Sequence, residues 1–154
     1  MPLPLAYLAT AGLLTVAGYL FVNGKRKKVF ISYYSKSDSH YKNMVIAWAN
    51  NNKFKLQLDD VSTDIKIKSE DTNYLKKRMK QQIDKADYFM VFVGKNTHKR
   101  DWVTWEIEQA KILNKPIVAV KEKRTHKSPD ALLGCDAIWV YGFSEEKIRE
   151  ALNN

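Results

Sequence analysis

The sequence predicts an α/β domain built on a doubly wound parallel sheet of about five strands, of flavodoxin-like type, preceded by one transmembrane helix. Three observations carry this. An uncharged run occupies residues 2–22, a basic cluster follows it, and from there on short apolar runs alternate with helical patterns.

The first run, "PLPLAYLATAGLLTVAGYLFV", contains no charged residue. As a helix its roughly 21 residues span about 31 Å, close to the hydrocarbon thickness of a bilayer. Tyr7, Tyr19 and Phe21 fall near its ends, where interfacial aromatics collect. Residues 23–28 form a basic juxtamembrane linker containing Lys25, Arg26, Lys27 and Lys28. Positive charge at this end alone orients the chain with its C-terminal part in the cytoplasm, a single-pass protein of the cell membrane. A cleaved signal peptide fits less well: no Lys or Arg precedes the apolar run, and its A-x-A pattern lies inside the run.

The chain carries 26 Lys+Arg against 17 Asp+Glu, a net charge of +9, and the linker holds four of those cations. Anionic lipid headgroups account for that cluster, so residues 2–28 are expected to meet membrane lipids and a nucleic-acid partner is not expected. The single cysteine, Cys135, excludes an internal disulfide and is expected as a buried structural thiol.

The domain is expected over residues 29–154. Strand-like runs are "KVFISYY" at 28–34, "FKLQLDD" at 54–60, "DYFMVFVG" at 87–94, "PIVAVK" at 116–121 and "DAIWVYG" at 136–142. The third and fourth are continuously apolar, as interior parallel strands are, whereas "FKLQLDD" alternates like an edge or half-covered strand. Helical patterns fill the gaps: "HYKNMVIAWANNN" after Asp38 or Ser39; "EDTNYLKKRMKQQIDKA" with Tyr74, Leu75, Met79 and Ile83 on one side; a helix containing "DWVTWEIEQAK", with Thr97 as candidate cap; and "SEEKIREAL" capped by Ser144. This order is of flavodoxin type, with ligands expected at the carboxyl ends of the strands.

Several chemistries are excluded. Neither a G-x-x-x-x-G-K-[ST] nor a G-x-G-x-x-G loop is present, and His40, His98 and His126 have no metal-ligand spacing, so neither metal nor cofactor is expected. A phosphate-accepting receiver needs carboxylates where this chain reads "SYY" and "GKN".

Together "VFISYY", "LDD", "ADYFMVFVGKNT" and "RDWVTWEIEQA…NKPIVAV" resemble a Toll/interleukin-1 receptor (TIR) domain, in the bacterial TIR-like branch of Thoeris antiphage defence. The resemblance covers about residues 28–140. It implies a membrane-anchored protein that cleaves or cyclises NAD, with NAD as substrate and self-association or other TIR-like domains as partners. Trp102 and Glu106 match a tryptophan followed four residues later by the catalytic glutamate. Glu106 is then the catalytic carboxylate, with Tyr33, Tyr34, Asp59 and Trp102 as substrate-binding residues. On an ideal helix Trp102 and Glu106 share a face, while Trp105 is turned about 60° from Trp102. Without the resemblance, Glu106 reads equally as a solvated helix carboxylate, Tyr33 and Tyr34 as core aromatics, and Asp59 as a turn residue. The alternative function is a non-enzymatic scaffold that binds TIR domains or a nucleotide messenger. The chain departs from the family pattern after its second strand, where "VSTDIKIKSEDTN" lacks glycine and proline.

Overall fold

A computed structural model describes residues 14–22, 25–34, 56–58 and 72–152. Its elements are β1 (Leu14–Val22), β2 (Lys25–Tyr33), β3 (Leu56–Leu58), α1 (Thr72–Lys85), β4 (Tyr88–Val93), α2 (Asp101–Ile112), β5 (Ile117–Lys121), β6 (Ile138–Tyr141) and α3 (Glu145–Ala151). Short 3₁₀ turns, Thr97–Lys99 and Asp130–Leu132, precede α2 and β6. The six strands form one sheet in the order β3-β1-β2-β4-β5-β6.

Four of these strands, β2, β4, β5 and β6, run parallel, as the alternating apolar runs and helices require. They are four rather than the expected five, because β3 joins the sheet antiparallel through β1. It does lie at the edge, as the alternation of "FKLQLDD" suggests.

The expected transmembrane helix requires correction over residues 14–22. Leu14–Val22 is a strand, paired antiparallel with β2 from Leu14↔Tyr33 to Val22↔Lys25. No helix among the described residues is long and apolar enough to cross a membrane. The expected basic linker is likewise strand, since β2 begins at Lys25. An uncharged run satisfies its backbone equally well in a helix or between two strands, and β1 has partners on both sides. The register leaves two residues, Asn23-Gly24, between β1 and β2, the dipeptide most favoured in tight hairpins. Residues 2–13 and the expected helix at 40–52 lie outside the described residues.

Alternation along the parallel strands divides the core in two. One face carries Phe30, Phe89, Val91, Val93, Ile117 and Ala119, and packs against Leu75, Met79 and Ile83 of α1 and Val103, Ile107 and Ala110 of α2. Phe30 and Phe89 stack there with centroids 5.6 Å apart. The other face carries Ile31, Tyr33, Met90, Phe92, Val118 and Val120, all buried. Phe92 meets Tyr33 on one side and Phe143 on the other, both edge-on.

Helix ends follow local chemistry, with one departure. Ser144 caps α3, its Oγ accepting from the Lys147 N–H at 3.4 Å. The residue after α2 and Leu113 is Asn114, with φ +53°, the left-handed conformation asparagine tolerates and that turns the chain toward Pro116 and β5. Thr97 does not cap α2: its Oγ1 accepts from the Gly94 N–H at 2.8 Å and ties down the turn leaving β4. Arg100 occupies the cap position, with no side-chain capping bond.

Gly18 pairs with Val29 on one side and Leu58 on the other. Gly18→Pro removes a ladder donor inside the sheet and is expected to lower the melting temperature by about 5 °C or more. A membrane helix tolerates proline, so an unchanged melting curve would restore the helical reading of this segment.

Candidate functional site

The site is assembled where the carboxyl end of β2 faces α2. Along α2 the buried positions are Val103, Glu106, Ile107 and Ala110, spaced at 0, 3, 4 and 7. That is the stripe a helix turns toward its sheet, so Glu106 is placed in the core by its apolar neighbours. It is 0 % exposed. A solvated helix carboxylate, one of the two readings open from its position, is thereby excluded.

Burying a carboxylate is expensive unless hydrogen bonds hold it. One partner is Ser32, also 0 % exposed, whose Oγ donates to Glu106 Oε2. Ser32 follows Phe30 by two residues on β2, so alternation directs both toward α2. Sequence reasoning did not single out Ser32. Its signal was a lone hydroxyl inside the apolar run "VFISYY", one residue before the strand ends.

Tyr33 and Tyr34 separate. Tyr33 points to the opposite face, fully buried against Phe92, and burial holds its phenol well above the ordinary tyrosine range. The fold therefore does not bring Tyr33 to Glu106; its role is core packing. Tyr34 lies just beyond β2, buried, with the Arg100 guanidinium 3.8 Å over its ring. Arg100 directly precedes α2, so Tyr34 and Glu106 are linked through the first turn of that helix.

Trp102 and Trp105 are partly buried against the same core cluster, with ring centroids 5.7 Å apart. Lys76 of α1 sits 5.6 Å above Trp105, which covers the side of α2 facing α1. Trp102 Nε1 is buried and has no acceptor among the described residues. The arrangement offers a buried carboxylate that accepts from a hydroxyl, an indole N–H in want of an acceptor among the described residues, and a cation at the helix start. Asp59 lies outside the described residues. Cys135 is partly buried, its thiol donating to Leu132 O at 3.2 Å, in keeping with a structural role.

Two outcomes follow from this geometry. Ser32→Ala strips a donor from a buried carboxylate and is expected to cost about 1–3 kcal/mol in denaturant unfolding. Replacing both partners, Ser32→Ala with Glu106→Leu, is expected to cost less than the sum of the two single changes. For Tyr33, the folded state keeps the phenol neutral above about pH 10, where the unfolded chain loses that proton. Stability must then fall as pH rises through that value. Tyr33→Phe is expected to remove this contribution, seen by comparing urea midpoints at about pH 9 and about pH 11.

Comparison with known proteins adds the family. The family model for the Thoeris protein ThsB, TIR-like domain, matches residues 30–127, more than half of the chain, and takes in the end of β2 and all of α2, with both halves of the Ser32–Glu106 contact. No curated protein matches the chain. Four parallel strands with flanking helices agree with the TIR-like fold expected of such a sequence. The chain belongs to the Thoeris ThsB TIR-like family, a family of antiphage defence.

Proposed function

We propose that this protein cleaves or cyclises NAD, with Glu106 as the catalytic carboxylate. The observation that carries the reading is a glutamate sunk at 0 % exposure in the apolar stripe of α2 and bonded to Ser32 at the carboxyl end of β2. A fold has little reason to bury a carboxylate for stability alone, since an apolar side chain of similar size is often as good or better there. A buried acid near the carboxyl edge of an α/β sheet stands where ligands of such folds gather.

In this mechanism the bond between nicotinamide nitrogen and ribose C1′ breaks, and its electron pair leaves with the nicotinamide. Positive charge develops at C1′ and the ring oxygen, and Glu106 stabilises it. A carboxylate set against an oxocarbenium-like centre in a dry cleft is worth several kcal/mol. Water then adds to C1′ and loses a proton, giving ADP-ribose; capture by a nitrogen of the adenine instead closes a cyclic product. Ser32 holds Glu106 in the orientation the reaction needs, and Trp102 supplies a flat surface and an N–H for a bound ring.

Glu106 is closed to solvent in this conformation. Turnover therefore needs an opening of the site, and self-association or pairing with another TIR-like domain is the proposed trigger. The competing reading, a non-enzymatic scaffold binding TIR domains or a nucleotide, leaves the buried carboxylate a structural role only.

The test is nicotinamide release from NAD by the full chain at high protein density, beside Glu106→Gln. Loss of about a hundredfold or more in a variant that melts normally is expected. Equal rates in both would sink the catalytic assignment and favour the scaffold.

A further inference from the structure

Two arginines at the carboxyl edge of the sheet lie over tyrosine rings, each with its guanidinium carbon 3.8 Å from a centroid: Arg100 on Tyr34, and Arg124 on Tyr141. Neither has a carboxylate partner among the described residues; the ion pair seen there, Lys111 with Glu108, lies further along α2. The two differ in setting. Arg124 is exposed, at the far end of the sheet beyond β5 and β6. Arg100 is half-buried at the start of α2, its platform Tyr34 is buried, and its Nε is shut off from solvent without an acceptor.

We propose that Arg100, held over the ring of Tyr34, is the anchor for the diphosphate of a dinucleotide substrate. A guanidinium held over a ring keeps N–H donors to spare, and their fork matches two oxygens of a phosphate. A donor hidden from water with no acceptor is costly, and a phosphate oxygen relieves that cost. The first backbone N–H groups of α2 lie beside it, with the positive end of the helix dipole. Placement supports the same ligand. Arg100 directly precedes α2 and Glu106 lies in its second turn, roughly 8 Å further along the helix axis. A dinucleotide carries its diphosphate on the ribose whose glycosidic carbon reacts. The choice of a dinucleotide rests on the reading of Glu106 as catalytic; the anion site itself does not.

The test uses the full chain and inorganic pyrophosphate as probe, with calorimetric binding for wild type, Arg100→Gln, Arg124→Gln and Glu106→Gln. Arg124→Gln removes the same charge from a matching tyrosine stack at the other end of the edge, and so controls for general electrostatics. Binding weakened about tenfold or more in Arg100→Gln, with Arg124→Gln and Glu106→Gln near wild type, is expected. In NAD turnover Arg100→Gln should raise KM by a similar factor and leave kcat closer to wild type. Tyr34→Phe keeps the platform and should bind like wild type, whereas Tyr34→Ala should follow Arg100→Gln. Equal weakening by both arginine variants, or no pyrophosphate binding by wild type, overturns the proposal. Pyrophosphate held through Arg100 by a protein that does not turn over NAD removes the catalytic reading of Glu106 and leaves the anion site standing.

Discussion

The buried contact of the Ser32 hydroxyl on the Glu106 carboxylate constrains the arrangement of this domain. It joins the end of β2 to the second turn of α2 beside a large apolar cluster. A carboxylate buried there is tolerable only with its donor in place, so the axial position of α2 along the sheet is set by where Ser32 stands. Slippage of the helix by one residue would carry Glu106 out of the stripe of Val103, Ile107 and Ala110. The apolar cluster gives the helix its seat, and the polar contact gives that seat a unique register.

Chemistry at the sheet edge is divided among neighbours by the same geometry. Alternation along β2 sends Ser32 to the helix-covered face and Tyr33 to the other, while Tyr34 remains at the edge beneath Arg100. Three successive residues thus serve three purposes: holding a carboxylate, filling a core, and supporting a cation. Thr97, by tying the turn after β4 to Gly94, sets where the chain enters α2 and therefore where Arg100 stands.

Much of the frame was legible in the sequence. Continuous apolar runs marked β4 and β5, and Leu75, Met79 and Ile83 marked the inner side of α1, because parallel strands and amphipathic helices leave periods of their own. The site was legible in identity more than in environment. Glu106 was chosen for its place after Trp102, yet its burial could have been read from Val103, Ile107 and Ala110 around it. Ser32 passed unnoticed because a small hydroxyl in a strand has no signature until its partner, 74 residues away, is in place. The separation of Tyr33 from Tyr34 follows from a period of two that resemblance alone does not supply. Residues 14–22 read as a helix because freedom from charge is equally a property of a bilayer span and of a strand paired on both sides.

The pairing of β1 with β2 also bears on the order in which the domain forms. Two residues separate those strands, so their ladder closes by a local search, on the microsecond scale of hairpins. The next neighbour of β2 is far along the chain: Val29 waits for Tyr88, and Ser32 for Glu106. Loop-closure entropy must be met across those spans before the parallel ladder or the buried contact returns anything. During synthesis the hairpin can form while α2 is still untranslated, giving β2 one protected edge and leaving the other open for β4. The carboxylate site, by contrast, has no partial version. It comes into being with the complete sheet, which ties any activity of this chain to the integrity of the whole domain.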